Sequence, residues 1–211
     1  IDEKSPVTGG HIRRVADLTL TLADVIHHTK EGPYKDITFS PDQIYELKIA
    51  AYMHDIGKVT SPVEIVEKAK KLQTIFDRIQ YIRLRMAYIS QKIILEGQNA
   101  KIEILQNGAD SGDLEAMEIE THNKLEEIKE ISEFINKCNE PGEFLDDETL
   151  KRLKDISKKI YIDDEGQEQN FLTEDELVNL SIRRGSITEA ERKKMQDHAA
   201  VTLKMLKQIP F

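Results

Sequence analysis

Apolar residues at Val15, Leu18, Leu22 and Ile26 recur every three or four positions, the period of one helix face, and predict a helix over roughly 9–30 that Gly32 and Pro33 close. Ser40, Pro41 and Gln43 then occupy the N-cap, first and third positions of a capping box, so a second helix should run over roughly 41–55 with Ile44, Leu47 and Ala51 inward. Gly57 suits the turn that ends it, and a short extended piece from Val59 to Pro62 follows.

The strongest periodicity comes next. Leu72, Ile75, Ile79, Ile82, Met86, Ile89 and Ile93 alternate spacings of three and four with no Pro or Gly between them, the seam of a coiled coil. One straight helix to about Leu105 would be about 55 Å long at about 1.5 Å per residue. The stretch NGADSGD at 107–113 breaks it, and a second helix carrying Leu114, Met117, Leu125, Ile128, Ile131 and Ile135 ends near Pro141 and Gly142. Two striped helices on a short loop fold back as an antiparallel hairpin. The expected layout is therefore a core of 1–65 and 143–211 with a hairpin inserted at 66–142. Apolar surface beyond what each helix covers on its mate would pack on a neighbouring domain or on a second copy, giving a homodimer through the arm that Ile82→Asp should separate.

After the hairpin, Leu150, Leu153, Ile156 and Ile160 predict a helix near 146–160, and the DDEGQ turn at 163–167 allows a small β-hairpin over 161–172. Thr173 with Glu176 and Thr188 with Glu191 form two more capping boxes, opening helices near 174–183 and 189–208. The fold class is all-α, a helical bundle with a long antiparallel helical insertion.

Composition narrows the function classes. Thirty basic against 39 acidic side chains give a net charge of -9, which argues against a partner whose affinity rests on neutralising a polymeric nucleic acid. Residues 140–180 carry 13 acidic and 5 basic side chains, whereas 181–211 carry 7 basic and 3 acidic, so a local basic face remains for a small phosphorylated ligand or as a solvated helix surface. No apolar run reaches a membrane span and no signal pattern opens the chain, so a membrane partner is not expected. The single Cys138 fits a reducing cytoplasm and excludes a thiolate metal cluster. The chain opens with Ile1 and reads as a piece of something longer.

Of six histidines, His54 stands out because Asp55 follows it and Lys58 lies one turn on. Such a pair can supply a nitrogen ligand and a carboxylate that bridges two cations, with the lysine on a phosphate oxygen; on the residues alone, a histidine capping a helix end beside a solvated aspartate fits as well. His27, His28 and His122 read as ordinary surface or core histidines. Arg183 and Arg184 precede Gly185 and could clamp phosphate or form surface salt bridges.

The string AAYMHDIGK at 50–58 resembles the central motif of the HD superfamily of metal-dependent phosphohydrolases. GGHIRRV at 9–15 resembles its first histidine helix, and GSITEAERKKMQDHAAVTLKMLKQIPF at 185–211, together with HDIGKVTSPVEIVEKAKKL, is similar to the HD-GYP branch. The runs LQTIFDRIQYIR and FLTEDELVNLSIRRGSIT resemble members with a helical insertion.

The resemblance implies that His11, His54, Asp55 and His198 are metal ligands, that Lys58 contacts phosphate, and that two divalent transition metals are bound, Fe or Mn first and Mg, Ni or Zn as alternatives. It implies a cytoplasmic phosphodiesterase opening cyclic di-GMP, or another small phosphoester, under an upstream sensor domain. The rivals are a non-catalytic signalling module and a nucleotide phosphohydrolase. The branch would continue past Phe211 to a paired histidine, a Gly-Tyr-Pro motif and a later aspartate ligand, and a third-metal glutamate position is Val7 here. At most two metals and an impaired activity are therefore expected of these 211 residues.

Overall fold

The computed structural model describes residues 6–108, 111–142 and 144–208. The elements in chain order are α1 (Pro6–His28), α2 (Pro41–Met53), a 3₁₀ turn (Ile56–Thr60), α3 (Val63–Val66), α4 (Ile79–Gln106), α5 (Ser111–Asn139), α6 (Asp147–Ser157), β1 (Ile160–Ile162), β2 (Glu168–Asn170), α7 (Glu174–Leu180) and α8 (Glu189–Leu206). The all-α class holds, with an antiparallel β1–β2 pair as the one sheet among the described residues. The strands pair Ile160 with Asn170 and Tyr161 with Gln169, where the small hairpin was expected. Ser40 and Thr173 close both halves of their capping boxes, which is why α2 and α7 begin where the sequence says they should.

The chain forms two compact units, Ile1–Glu67 with Glu189–Phe211, and Lys68–Thr188. In the first, α1 and α2 run antiparallel: the rings of His11 and His54 meet across one end with centroids 6.0 Å apart, and His27 Nδ1 accepts the Phe39 amide at the other. The buried stripe of α1 is Ile12, Ala16 and Ala23, while Leu18 and Leu22 are 69% and 61% exposed. The expected stripe of larger residues is thus rotated out. Small alanines at Ala16 and Ala23 leave room for a neighbouring helix to approach α1 closely, and Ala51 is the buried residue of α2.

In the second unit, α4 and α5 form the expected hairpin, with Arg83 bonded to Asn136 at its base and Lys101 to Glu118 near its tip. Ile79, Ile82, Met86 and Ile89 face Ile128, Ile131, Ile135 and Cys138 in one core. The helix starts seven residues later than the seam suggested. Leu72 is buried from a turn, because the Asn139 side chain accepts its amide at 2.9 Å and donates to Asp77, and Ile75 is 88% exposed.

Residues after the hairpin, expected to pack with the first unit, complete this second core. Leu153, Ile156, Phe171, Leu172 and Leu180 are all buried in it. The reason is area: a two-helix seam this wide leaves apolar surface that one mate cannot cover, and α6 and α7 cover it. The Ser186 hydroxyl donates to the Lys68 carbonyl at 2.6 Å, so the second unit starts and ends at adjacent points, the topology of an insertion. Ile82, 1% exposed, lies inside this core, and Ile82→Asp therefore probes the unit's folding rather than a contact between copies.

Lys71 is fully buried and its amine has no hydrogen-bond partner. Burial lowers its pKa below the ordinary 10.5, against a smaller opposing effect of Cys138. The unfolded chain therefore holds this proton to higher pH than the folded chain, and stability rises with pH between the folded pKa and 10.5. Urea titrations of Lys71→Met should show higher stability at neutral pH and a loss of that rise. In the same core, Ile135→Ala should cost about 2–5 kcal/mol, read as a lower urea midpoint.

Candidate metal centre

Asp55 sits where α2 has ended and the 3₁₀ turn begins, as the N-cap of that turn, yet its side chain makes no capping bond. Its carboxylate turns to other groups instead. Oδ2 lies 3.1 Å from His54 Nε2 and 2.5 Å from Lys58 Nζ, and Oδ1 lies 3.3 Å from His198 Nε2. His11, from the first turns of α1, joins the group: ligand atoms of His11, His54 and Asp55 all lie within 4.8 Å of one another. Four side chains spread over 187 positions thus converge, as the sequence led us to expect.

The imidazoles are oriented by their own helices. His54 Nδ1 donates to the Ala51 carbonyl at 2.7 Å, and His198 Nδ1 donates to the Met195 carbonyl. A carbonyl can only accept, so Nδ1 carries the proton in both rings and, in neutral imidazole, Nε2 presents a lone pair. Those lone pairs face carboxylate oxygens, an arrangement that repels unless a cation lies between them or the rings are protonated. Backbone carbonyls that fix the far nitrogen are the usual support of histidine metal ligands.

Burial alone would raise the Asp55 carboxyl, but the hydrogen bond and charge of Lys58, with the charges of His54 and His198, carry it below its ordinary 3.8. It is ionised at neutral pH. The donor set fits a divalent cation: one carboxylate with a histidine on each oxygen, in borderline nitrogen and oxygen chemistry suited to Mn, Fe or Zn. Donors each about 2.1 Å from one cation lie at most about 4.2 Å apart, so the group within 4.8 Å closes on an ion by small side-chain rotations.

α8 reaches this turn because Gly57 has no side chain. A Cβ there would stand 2.1 Å from the His198 carbonyl oxygen and 2.6 Å from the Thr202 nitrogen. The sequence assigned Gly57 to a helix-ending turn; its role is close approach of two backbones, a contact between positions 145 apart that no local pattern encodes. Arg183 and Arg184 belong to the second unit. The Arg183 guanidinium pairs with Asp147, donates to the Leu145 carbonyl at 3.4 Å and stands over the Phe144 ring, while Arg184 is exposed. His28 pairs with Asp24 on the surface.

Gly57→Ala must part α8 from the turn. The expected loss is about 1–3 kcal/mol or more from overpacking, accompanied by weaker Mn²⁺ binding in calorimetry, whereas Gly142→Ala, with open space around it and no positive φ, should leave Mn²⁺ binding unchanged.

A family model described as HD domain matches residues 8–154, a span that holds His11, His54, Asp55 and Lys58 and stops short of His198. No curated protein and no solved structure is significantly similar to the chain. No helix among the described residues is long and apolar enough to cross a membrane. With well over half its length matched and the motif's histidine and aspartate side by side at the convergence point, the chain belongs to the HD domain family, the superfamily of metal-dependent phosphohydrolases.

Proposed function

We propose that this protein is a metal-dependent phosphodiesterase of the HD-GYP type acting on cyclic di-GMP in cytoplasmic signalling, under an upstream sensor domain. The observation that carries the reading is the Asp55 carboxylate held between two imidazoles, one on each oxygen, with Lys58 alongside. The substrate comes from the resemblance of 185–211 to the HD-GYP branch, and the hydrolytic chemistry from the ligand set.

His11, His54, Asp55 and His198 would hold up to two divalent cations, Fe or Mn first, which when bound supply the positive charge that acidifies a water and offsets charge developing on the phosphate. The rest falls to the chain's own groups. His54 and His198 keep Nε2 aimed inward because Nδ1 is committed to a helix carbonyl. Asp55 stays ionised and spans both histidines. Lys58, 2.5 Å from Asp55, is the chain's own cation at the site and would offer its ammonium to a non-bridging phosphate oxygen. Water adds to phosphorus, the P–O3′ bond breaks, and the 3′ oxygen leaves with a proton to give the linear dinucleotide.

The test is metal content together with turnover. With Mn²⁺, the protein should bind metal and hydrolyse cyclic di-GMP slowly, below about 10 s⁻¹, because four protein ligands leave two cations thinly coordinated. Asp55→Ala should lower kcat/KM by about 10³-fold, roughly 4 kcal/mol. Metal binding without turnover would favour a regulatory module, and turnover on nucleoside monophosphates alone would favour a nucleotide phosphohydrolase; either result overturns the substrate proposed.

A further inference from the structure

We propose that Thr202 is a positioning residue that caps the HD turn in place of Asp55, leaving the Asp55 carboxylate free for cations. The inference rests on the metal-centre reading above and adds a residue to it. An aspartate at an N-cap ordinarily spends a side-chain oxygen on the amide of the second or third residue of the turn. Asp55 is the N-cap of the 3₁₀ turn and makes no such bond. The second residue is Gly57, buried, and its amide is an orphan donor that the turn itself cannot satisfy.

Thr202 supplies the acceptor from 145 positions away. Its Oγ1 lies 2.9 Å from the Gly57 nitrogen, and Thr202 is 6% exposed, so water does not compete for the bond. His198 and Thr202 are four apart on α8, hence neighbours on one helix face. That face therefore grips the turn at two points, His198 on the Asp55 carboxylate and Thr202 on the Gly57 amide. Loss of the Thr202 grip would leave a buried amide with Asp55 as the nearest anionic acceptor in sequence. For the carboxylate to reach that amide, Asp55 would have to leave φ −116°, ψ 18° for the extended backbone of a capping residue, a shift that would carry it off His54 and His198. Gly57 permits the arrangement, since any Cβ would stand 2.6 Å from Thr202 Oγ1.

The experiment uses the whole chain, Mn²⁺ as the probe, and two variants, Thr202→Val and Thr202→Ser. Amide exchange by NMR should find Gly57 protected in the wild type and in Thr202→Ser, and at least about tenfold less protected in Thr202→Val. Calorimetry should find Mn²⁺ affinity kept in Thr202→Ser and lowered about 10–100-fold in Thr202→Val, the size of a lost supporting contact. Equal Mn²⁺ affinity in folded Thr202→Val overturns the proposal and leaves the metal centre standing. A wild type that binds no Mn²⁺ strikes the metal reading itself. If Thr202→Val does not fold, the exchange of Gly57 in the wild type and Thr202→Ser decides, since an amide exchanging as fast as an exposed loop amide overturns the cap.

Discussion

The Asp55 carboxylate is the point on which the first unit turns. Its oxygens gather an ammonium and two imidazoles from α8, the end of α2 and the turn between α2 and α3. An ionised, buried carboxylate is expensive unless paired, and here the Lys58 ammonium pairs it while imidazoles from the end of α2 and from α8 face its two oxygens. Each imidazole has one nitrogen tied to its own helix and the other aimed at Asp55, so the helices act as rigid mounts and the ligand geometry needs no loop to order itself.

The same economy explains what the first unit gives up. Asp55 stands at a helix start and forgoes its cap; Gly57 forgoes a side chain so that α8 can touch the turn. Both choices weaken local structure and are sensible only if the carboxylate has a use elsewhere. Local sacrifice of this kind marks functional sites, and α8, the helix that both sacrifices serve, lies beyond the residues of the family match.

Much of this was legible along the chain because it is local. Capping boxes at Ser40 and Thr173 fix helix starts through side chains three residues apart, and adjacency of His54 and Asp55 is visible as letters. What was not legible depends on tertiary contact. The α1 stripe followed the large residues Leu18 and Leu22, but packing chose Ile12, Ala16 and Ala23 because two helices close on small side chains. The seam ran to Leu72 because a turn residue happened to keep the heptad spacing, and only the Asn139 side chain shows that Leu72 is not helical. The division at residue 188 rather than 142 reflects how much apolar surface the hairpin leaves over. Thr202 left no local signal, since its partner is an amide 145 positions away.

The central claim is that cations sit on Asp55 between the histidines. Anomalous diffraction from crystals grown with Mn²⁺, recorded on both sides of the manganese edge, tests it most directly. The account predicts peaks about 2.0–2.2 Å from Asp55 oxygens and from Nε2 of His54 or His198, with Lys58 Nζ displaced from the carboxylate. Crystals showing no manganese there, with Lys58 still bound to Asp55, would contradict it.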